Sequence, residues 1–532
     1  MRARLLIPTL AAAATLVCGA AVYAAPATPT ATVHPDAGTG YWHTSGNKIL
    51  DSGGNQVRIA GINWYGFETP DMVAHGLWSV DYKVVIDDIR QTGYNTIRIP
   101  FSNQMVESPV VPQNIGYYGN GGPINTDLQG LNSLQILDKI ISYAGQDGLK
   151  VILDDHRSEA GESAEQNGLW YTSAYPQSAW VNDWVTLAHR YAGNPTVIGA
   201  DLRNEPHTPT GVTYANGATW GTGTATDFRL ACQTAGNAIL AVQPNWLIMV
   251  EGIGEFQNAD GSIDSTWWGG DLQGVANFPV QLSVANRVVY SAHDYGPDEF
   301  QQTWFNSSTT SASLAAVWDK FWGYISNSGT APIWVGEFGV PNSDVGTTAA
   351  GSEGQWFASL VQYIKATPAM GWTYWALNGE DRYGLLDGSY SITTASATKQ
   401  ALLASIQFPL TGTTTSPSPS PSSTGAPPGG GCSAAYSVTN SWPTGFTASV
   451  TVTNKGAAIS TWTVTLTLPS GETVTNLWSG TYTQSGSTVT VKDAGYNGSV
   501  AAGGTLNFGF QASDSGTPGS ASGFTLNGAA CS

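Results

Sequence analysis

Two glutamates of this chain stand where short apolar runs end. Glu205 follows the run 197–202, and Glu337 follows the run 332–335. Each run is apolar on both faces, which is typical of a buried parallel strand. A strand-end glutamate is often only solvated or ion-paired. Two of them at matching positions indicate a proton donor and a nucleophile, the pair of carboxyl groups that hydrolyses glycosidic bonds.

The elements that would position these glutamates alternate along the chain. Eight short apolar runs follow one another at 58–63, 96–100, 150–154, 197–202, 247–251, 288–292, 333–337 and 372–375. Most are separated by stretches with apolar residues at three- and four-residue spacing, as in 81–92 and 131–146. Alternation of strand and helix eight times predicts an α/β fold, a (β/α)8 TIM barrel.

Polar residues fall near the carboxyl ends of nearly all these runs. Catalytic groups of (β/α)8 barrels lie at that end of the strands. A single such residue means little, but a ring of them is hard to explain as packing. The ring consists of Arg98, His156, Asn204, Glu205, Glu251, His293, Tyr295, Glu337 and Trp375.

The amino terminus has the pattern of a secretory signal peptide, residues 1–25. Arg2 and Arg4 precede the apolar stretch 5–21, and small residues follow at 22–24. A lipoprotein signal at Cys18 is the alternative, which Val17 disfavours because a small residue is expected there. The stretch is short for a membrane span and no later one resembles a span. We therefore expect a secreted, extracellular protein.

Composition limits the partners of the chain. The 532 residues carry a net charge of −18, which argues against nucleic acid or anionic membranes as partners. Charged residues make up only 11% of the chain. A surface rich in hydroxyl, amide and aromatic groups suits neutral, hydroxyl-rich ligands. A metal site has little support, because the histidines are scattered and no cysteine pair has ligand spacing; we expect no metal and no cofactor.

A change of composition divides the chain. Residues 40–410 carry the barrel pattern, and residues 411–431 are a Pro/Ser/Thr/Gly tether without a core to bury. Residues 432–532 are rich in Thr, Val and Gly with period-two stretches, which predicts an all-β sandwich. Cys432 and Cys531 stand at its two ends and could pair in an oxidising exterior. Cys232 lies in a helical pattern and is interpreted as a buried small hydrophobe.

Three aromatic residues of the second segment stand beside turn-forming residues. They are Trp442, Trp478 and Tyr496, which we expect to be exposed, whereas Trp462 lies in an alternating stretch and is expected in the core. An exposed row of rings is unfavourable unless a ligand stacks on it. The alternative is that all three are edge aromatics that only cap the core.

Several spaced motifs make residues 40–410 resemble glycoside hydrolase family 5, in its bacterial endo-β-1,4-glucanase branch. The motifs are Arg58-Ile-Ala-Gly-Ile-Asn-Trp64, Tyr94-Asn-Thr-Ile-Arg98-Ile-Pro100, Ile152-Leu-Asp-Asp-His156-Arg157, Asn204-Glu205-Pro206, Ser291-Ala-His293-Asp-Tyr295 and Gly336-Glu337-Phe338-Gly339. The resemblance implies a (β/α)8 barrel and hydrolysis with retention of configuration. The chain departs from some relatives in lacking paired cysteines here, which bears on stability more than on chemistry.

The same resemblance assigns roles. Glu205 would be the acid/base and Glu337 the nucleophile, in a site lined by Arg98, His156, Asn204, His293, Tyr295 and Trp375. Arg98 and Tyr295 would keep the Glu337 carboxylate charged and oriented, and the negative charge of Glu337 would raise the pKa of Glu205. Asn204 would bond the sugar 2-hydroxyl, Trp375 would offer a flat face to the sugar, and the histidines would supply polar contacts. A retaining pair implies carboxyl groups about 5–5.5 Å apart.

Residues 432–532 resemble the family 2 carbohydrate-binding modules that bind crystalline cellulose. Trp442 and Trp478 match two rings of the flat aromatic strip of that type, and Tyr496 stands where a third Trp is usual. The expected partners are therefore cellulose and soluble β-glucans, bound by a monomer. The alternatives are a β-mannanase or other β-glycanase on the same scaffold, and a non-catalytic polysaccharide-binding protein.

Overall fold

The computed structural model describes residues 37–119, 122–392, 396–408, 431–442, 444–478, 480–493, 498, 500, 504–514 and 519–531. The chain divides into two compact units, Met1–Thr413 and Thr414–Ser532. The expected signal peptide 1–25 lies outside the described residues, as does the tether 411–431 except for its last glycine. Among the described residues, no helix has the length and apolarity needed to cross a membrane.

Eight parallel strands close into a barrel in the first unit. The strands are β1 (Ala60–Asn63), β2 (Thr96–Ser102), β3 (Lys150–Arg157), β4 (Val197–Asp201), β5 (Leu247–Glu251), β6 (Val288–His293), β7 (Ile333–Glu337) and β8 (Gly371–Tyr374). Their order around the barrel is their order in the chain, and β8 pairs with β1. The predicted (β/α)8 barrel is confirmed, and each predicted run overlaps one strand.

The amino-terminal end of the barrel is closed by a small apolar plug. A three-stranded antiparallel sheet of His43–Ser45, Lys48–Leu50 and Gln56–Val57 supplies part of it. Trp42 and Ile49 from this segment pack with Met249 and Trp334 from inside the barrel, all fully or almost fully buried. The apolar plug fills one end, so the polar residues of the strands collect at the other.

Helices cover the outside of the barrel. They are α1 (Tyr82–Gln91), α2 (Asn103–Glu107), α3 (Ser133–Gln146), α4 (Gln177–Arg190), α5 (Phe228–Val242), α6 (Ser311–Trp318), α7 (Tyr324–Asn327), α8 (Glu353–Ala366) and α9 (Ala397–Ala404). Asp81 begins α1 by accepting a bond from the Lys83 N–H, and Asn132 begins α3 with a reciprocal capping box to Gln135. Both predicted helices therefore form within two residues of their expected bounds.

The connection from β5 to β6 departs from the strand–helix pattern. Over residues 252–287, all of which are described, it contains a hairpin of Glu255–Gln257 and Ile263–Ser265 and the 3-10 turn Gln273–Ala276, but no α-helix. Gly269 and Gly270 in this connection come close to the carboxyl ends of the neighbouring strands. The connection thus lies over the site instead of beside the barrel.

The second unit has two antiparallel sheets. Their strands are β9 (Cys432–Trp442), β10 (Gly445–Asn454), β11 (Thr463–Thr467), β12 (Thr473–Trp478), β13 (Thr481–Ser485), β14 (Thr488–Lys492), β15 (Thr505–Ser513), β16 (Ser522–Leu526) and β17 (Ala529–Ala530). One sheet has the order β9-β10-β15-β12 and the other the order β13-β14-β11-β16-β17. Alternate residues of β10 are buried, as expected for a strand of a sandwich.

Cys432 and Cys531 form a disulfide that closes this unit, and Cys232 is buried in α5; both interpretations are confirmed. Trp462 is also buried and stacks on Phe508, although it precedes β11 instead of lying inside a strand.

The three aromatic residues predicted to bind polysaccharide are only partly covered by the structure. Trp442 and Trp478 are the last residues of β9 and β12. The placement of their side chains lies outside what the structure describes, and so does the whole of Tyr496.

Candidate active site

A fully buried arginine organises the carboxyl end of the barrel. Arg98 projects from β2, and its guanidinium lies within hydrogen-bonding or ion-pair distance of six side chains on five strands or the loops that follow them. These are Asn63 at 3.0 Å, Asp154 at 3.1 Å, Asp201 at 2.8 Å, Asn204 at 3.0 Å, Glu251 at 3.3 Å and Glu337 at 2.5 Å. A guanidinium suits this position because it presents five donors in a fixed plane.

Glu337 ends β7 and is held as an anion. Its Oε1 accepts from Arg98, its Oε2 accepts from the Tyr295 hydroxyl at 2.9 Å, and His293 Nδ1 lies 3.7 Å from Oε2. Burial alone would raise the pKa of this carboxyl group. The positive charges of His293, Arg98 and His156 outweigh burial and hold the pKa below its ordinary value.

Glu205 has surroundings that shift its pKa in the opposite direction. It lies in the loop after β4, its side chain is 17% exposed, and its Oε1 is 3.1 Å from His293 Nδ1. Burial, and to a smaller extent the negative charge of Glu337, raise the pKa of Glu205 to about 7, although the hydrogen bond from His293 lowers it. The sequence interpretation named the charge of Glu337 as the cause, but burial contributes more.

The two glutamates face each other across His293. One oxygen of Glu205, one oxygen of Glu337 and one ring nitrogen of His293 lie within 4.8 Å of one another. An acid whose pKa is raised therefore stands beside a carboxylate whose pKa is lowered. Such a pair can donate a proton and attack an electrophilic carbon in the same encounter.

Three stacked rings lie beside the glutamates. The Trp375 ring stacks with Tyr65, with centroids 5.3 Å apart, and with His156, with centroids 5.6 Å apart. The Trp375 indole N–H donates to Asp381 at 3.2 Å, and His156 Nδ1 bonds Asp154 at 2.7 Å. The stack is thus fixed at its edges by carboxylates, and Trp375 remains partly exposed.

A cleft of about 420 Å³ lies close to Glu205 and is lined in part by His207 and Trp268. These two rings stack with centroids 3.7 Å apart, and His207 Nδ1 donates to the backbone oxygen of Glu205. Flat rings therefore lie near both glutamates, an arrangement that suits a ligand with flat apolar faces and hydroxyl edges.

The structure brings the residues predicted for the barrel site together, and it adds others. Tyr65, Asn63, Asp154 and Asp201 belong to the cluster but were not among the predicted site residues. A signal existed for the aspartates, because Asp201 ends an otherwise apolar strand and Asp154 follows the apolar residues 151–153 of β3. Tyr65 gave no such signal, since its contact with Trp375 depends on β8 closing against β1.

Several of these side chains could by type bind a cation. The groups are Asp154, His156 and Glu337; Glu205, His293 and Glu337; and Asp154, Asp201 and Glu251. Arg98 contacts a carboxylate in each of these groups, and His293 is itself a member of the second. Protein cations therefore lie where a bound metal ion would otherwise balance the carboxylates.

Comparison with known families gives two matches. The family described as Cellulase (glycosyl hydrolase family 5) matches residues 50–381. The family described as Cellulose binding domain matches residues 432–531.

Individual relatives agree with these matches. An endoglucanase of Paenibacillus polymyxa is 50% identical over 374 residues, covering 70% of this chain and 88% of the relative. The major extracellular endoglucanase of Xanthomonas campestris pv. campestris is 36% identical over 488 residues, covering 88% of this chain and 94% of the relative. A solved hyperthermophilic endocellulase of Pyrococcus horikoshii is 34% identical with a TM-score of 0.62, covering 70% of this chain and 99% of that one.

Proposed function

This chain belongs to glycosyl hydrolase family 5, and we propose that it is a secreted, monomeric endo-β-1,4-glucanase that hydrolyses internal bonds of cellulose with retention of configuration. The observation that carries the catalytic part is the pair Glu205 and Glu337. Their oxygens lie within 4.8 Å and their pKa values are displaced in opposite directions. This separation favours the retaining over the inverting arrangement, which needs room for a water.

In the first step Glu337 is the nucleophile. Its carboxylate oxygen forms a bond to the anomeric carbon while the bond from that carbon to the glycosidic oxygen breaks. Glu205 gives its proton to that oxygen, so the leaving chain departs as an alcohol. Arg98 and Tyr295 orient the attacking carboxylate through the bonds described above.

In the second step Glu205 changes role. Once Glu337 is esterified its negative charge is gone, and one cause of the raised pKa of Glu205 goes with it. The Glu205 carboxylate then takes a proton from water, and the water oxygen attacks the anomeric carbon and releases Glu337. Two inversions at one carbon give net retention.

The remaining predicted residues hold the sugar. Trp375 offers the exposed part of its ring to one sugar face, and Asn204 lies beside Glu205 where its amide can bond the 2-hydroxyl. Asn204 is itself oriented by Arg98, to which its Oδ1 is bonded at 3.0 Å. His156 and His293 supply polar contacts from the walls of the site.

The second unit attaches the enzyme to its substrate. Its match to the cellulose binding domain supports attachment, and we assign the contact to Trp442, Trp478 and Tyr496. The amino-terminal signal pattern and the extracellular relative support secretion.

The experiment that tests this function compares carboxymethylcellulose, mannan and xyloglucan as substrates of the full chain. We expect the highest kcat/KM on carboxymethylcellulose with a rapid fall in viscosity, because internal bonds are cut. Proton NMR of the first products should show the β-anomer. Preference for mannan would contradict the substrate, and initial α-anomer would contradict the retaining pair.

A further inference from the structure

Glu251 contacts Glu205 directly and reaches Glu337 only through Arg98 and His293, and it has no role in the chemistry above. It is the last residue of β5 and is fully buried. Its Oε2 accepts a bond of 2.7 Å from the backbone N–H of Glu205. Its Oε1 lies 3.3 Å from Arg98 Nη2 and 3.2 Å from His293 Nε2.

The backbone of Glu205 requires such a partner. Glu205 has φ of 51°, a left-handed conformation that is unfavourable for a residue with a side chain. The strand ends at Asp201, but the N–H of Leu202 still donates to Met249 on β5 and the N–H of Asn204 to Asp155 on β3. The N–H of Asn204 donates to a backbone oxygen, whereas the N–H of Glu205 donates to the Glu251 carboxylate. Bonds to a charged acceptor are the stronger kind.

The loop over Glu251 is shaped around its carboxylate. Gly269 has φ of +70°, and a Cβ at that position would lie 2.4 Å from Glu251 Oε2 and 3.4 Å from the Cα of Glu205. The Gly269 carbonyl is fixed by the N–H of Gly252 at 2.9 Å. A side chain at position 269 would displace the contact between Glu251 and Glu205.

The charge of Glu251 acts on the same two neighbours. Burial would lower the pKa of His293, but the negative charges of Glu251 and Glu337 raise it well above its ordinary value. The charge of Glu251 also contributes to the raised pKa of Glu205. Glu251 therefore favours a protonated His293, which in turn lowers the pKa of Glu205, so the two effects of Glu251 on Glu205 oppose each other.

We propose that Glu251 is a positioning residue that fixes the backbone of Glu205 and so aims its carboxyl group at the leaving-group oxygen. The inference rests on the proposed acid/base role of Glu205. A residue that acts through the acid matters most when the leaving group needs a proton. Dinitrophenolate needs none, whereas a sugar alkoxide does.

The test measures kcat/KM of Glu251→Asp on cellotetraose and on 2,4-dinitrophenyl cellobioside. Aspartate keeps the charge beside Arg98 and His293 but withdraws the carboxylate from the Glu205 N–H. We expect a loss of about 10- to 100-fold on cellotetraose, part of the 10²–10⁴ of general acid catalysis, and less than about 3-fold on the aryl substrate. Azide should raise kcat on the aryl substrate, because it attacks without a base.

Glu251→Gln is the second variant. Glutamine has one oxygen acceptor in place of two, so it cannot accept from the Glu205 N–H and from Arg98 at once, and kcat/KM should again fall more on cellotetraose than on the aryl substrate. Glu255→Asp and Glu255→Gln, in the hairpin after β5, are the matched controls and should behave as wild type. Circular dichroism and thermal melting establish that each variant is folded.

Equal losses on both substrates, or no loss on either, would overturn the inference. It is also overturned if both Glu251 variants unfold below the assay temperature, since Glu251 would then serve stability. The proposed function is judged separately on Glu205→Ala. If kcat/KM of that variant falls by the same factor on both substrates, the proposed acid role of Glu205 is itself wrong.

Discussion

At the scale of single residues, the site depends on giving two chemically identical side chains different protonation states. Glu337 accepts hydrogen bonds from Arg98 and Tyr295, whereas the largely buried side chain of Glu205 contacts His293. In the proposed mechanism, position in the fold thus makes one carboxyl group a nucleophile and the other an acid.

The pH profile should report both groups. The proposed mechanism requires protonated Glu205, so kcat/KM should fall as the pH rises through about 7. It also requires ionised Glu337, so kcat/KM should fall on the acidic side only when the pH drops below the ordinary pKa range of glutamate. In Tyr295→Phe the carboxylate loses a donor, so the acidic limb should move to higher pH. Tyr363→Phe on α8 removes a hydroxyl bonded to Asp319 and is the control. An unchanged acidic limb in Tyr295→Phe would contradict this account of Glu337.

Among the elements of the fold, the two ends of the barrel differ in the polarity of the side chains that fill them. The plug at the amino-terminal end is apolar, and the layer around Arg98 at the other end is polar. Closing one end with bulky side chains fixes the register of the strands that carry the site.

The plug should therefore contribute strongly to stability. Trp42 is fully buried there, and Trp42→Ala should lower the free energy of unfolding of the barrel by about 3–5 kcal/mol, the usual cost of such a cavity. Val84→Ala on α1, where the side chain is 46% exposed, should change it by less than about 0.5 kcal/mol. Urea denaturation followed by tryptophan fluorescence measures both. Similar effects of the two substitutions would show that the plug does not hold the barrel.

The same elements show what the sequence could predict. The bounds of β5 and β7 follow from their apolar runs, and β8 begins one residue earlier than expected. Glu205 and Glu337 could be found because each follows its own strand. The stack of Tyr65 on Trp375 and the bond of Glu251 to Glu205 could not be predicted, because they join distant segments through the closure of the barrel.

At the scale of the whole molecule, catalysis and attachment reside in separate units. A tethered binding unit raises the concentration of the barrel at an insoluble surface without changing its chemistry. The disulfide Cys432–Cys531 closes a loop of 99 residues and on the chain-entropy account stabilises this unit by about 4–5 kcal/mol.

Truncation after residue 410 should separate the two activities. The shortened enzyme should keep its kcat/KM on carboxymethylcellulose, because the barrel and its site are intact. Adsorption to microcrystalline cellulose and activity on it should both fall. A depletion assay with the full chain as control measures adsorption, and equal adsorption of the two forms would remove the second unit as the anchor.

The proposed mechanism requires that Glu337 becomes covalently bound to the sugar. The test uses 2,4-dinitrophenyl 2-deoxy-2-fluorocellobioside. Its fluorine slows both steps, whereas its activated leaving group still allows the first step to proceed, so the intermediate accumulates. Mass spectrometry of the digested protein should find one fluorocellobiosyl group on the peptide that contains Glu337, lost again on incubation with cellobiose. A label on another residue, or inactivation without any label, would contradict the account.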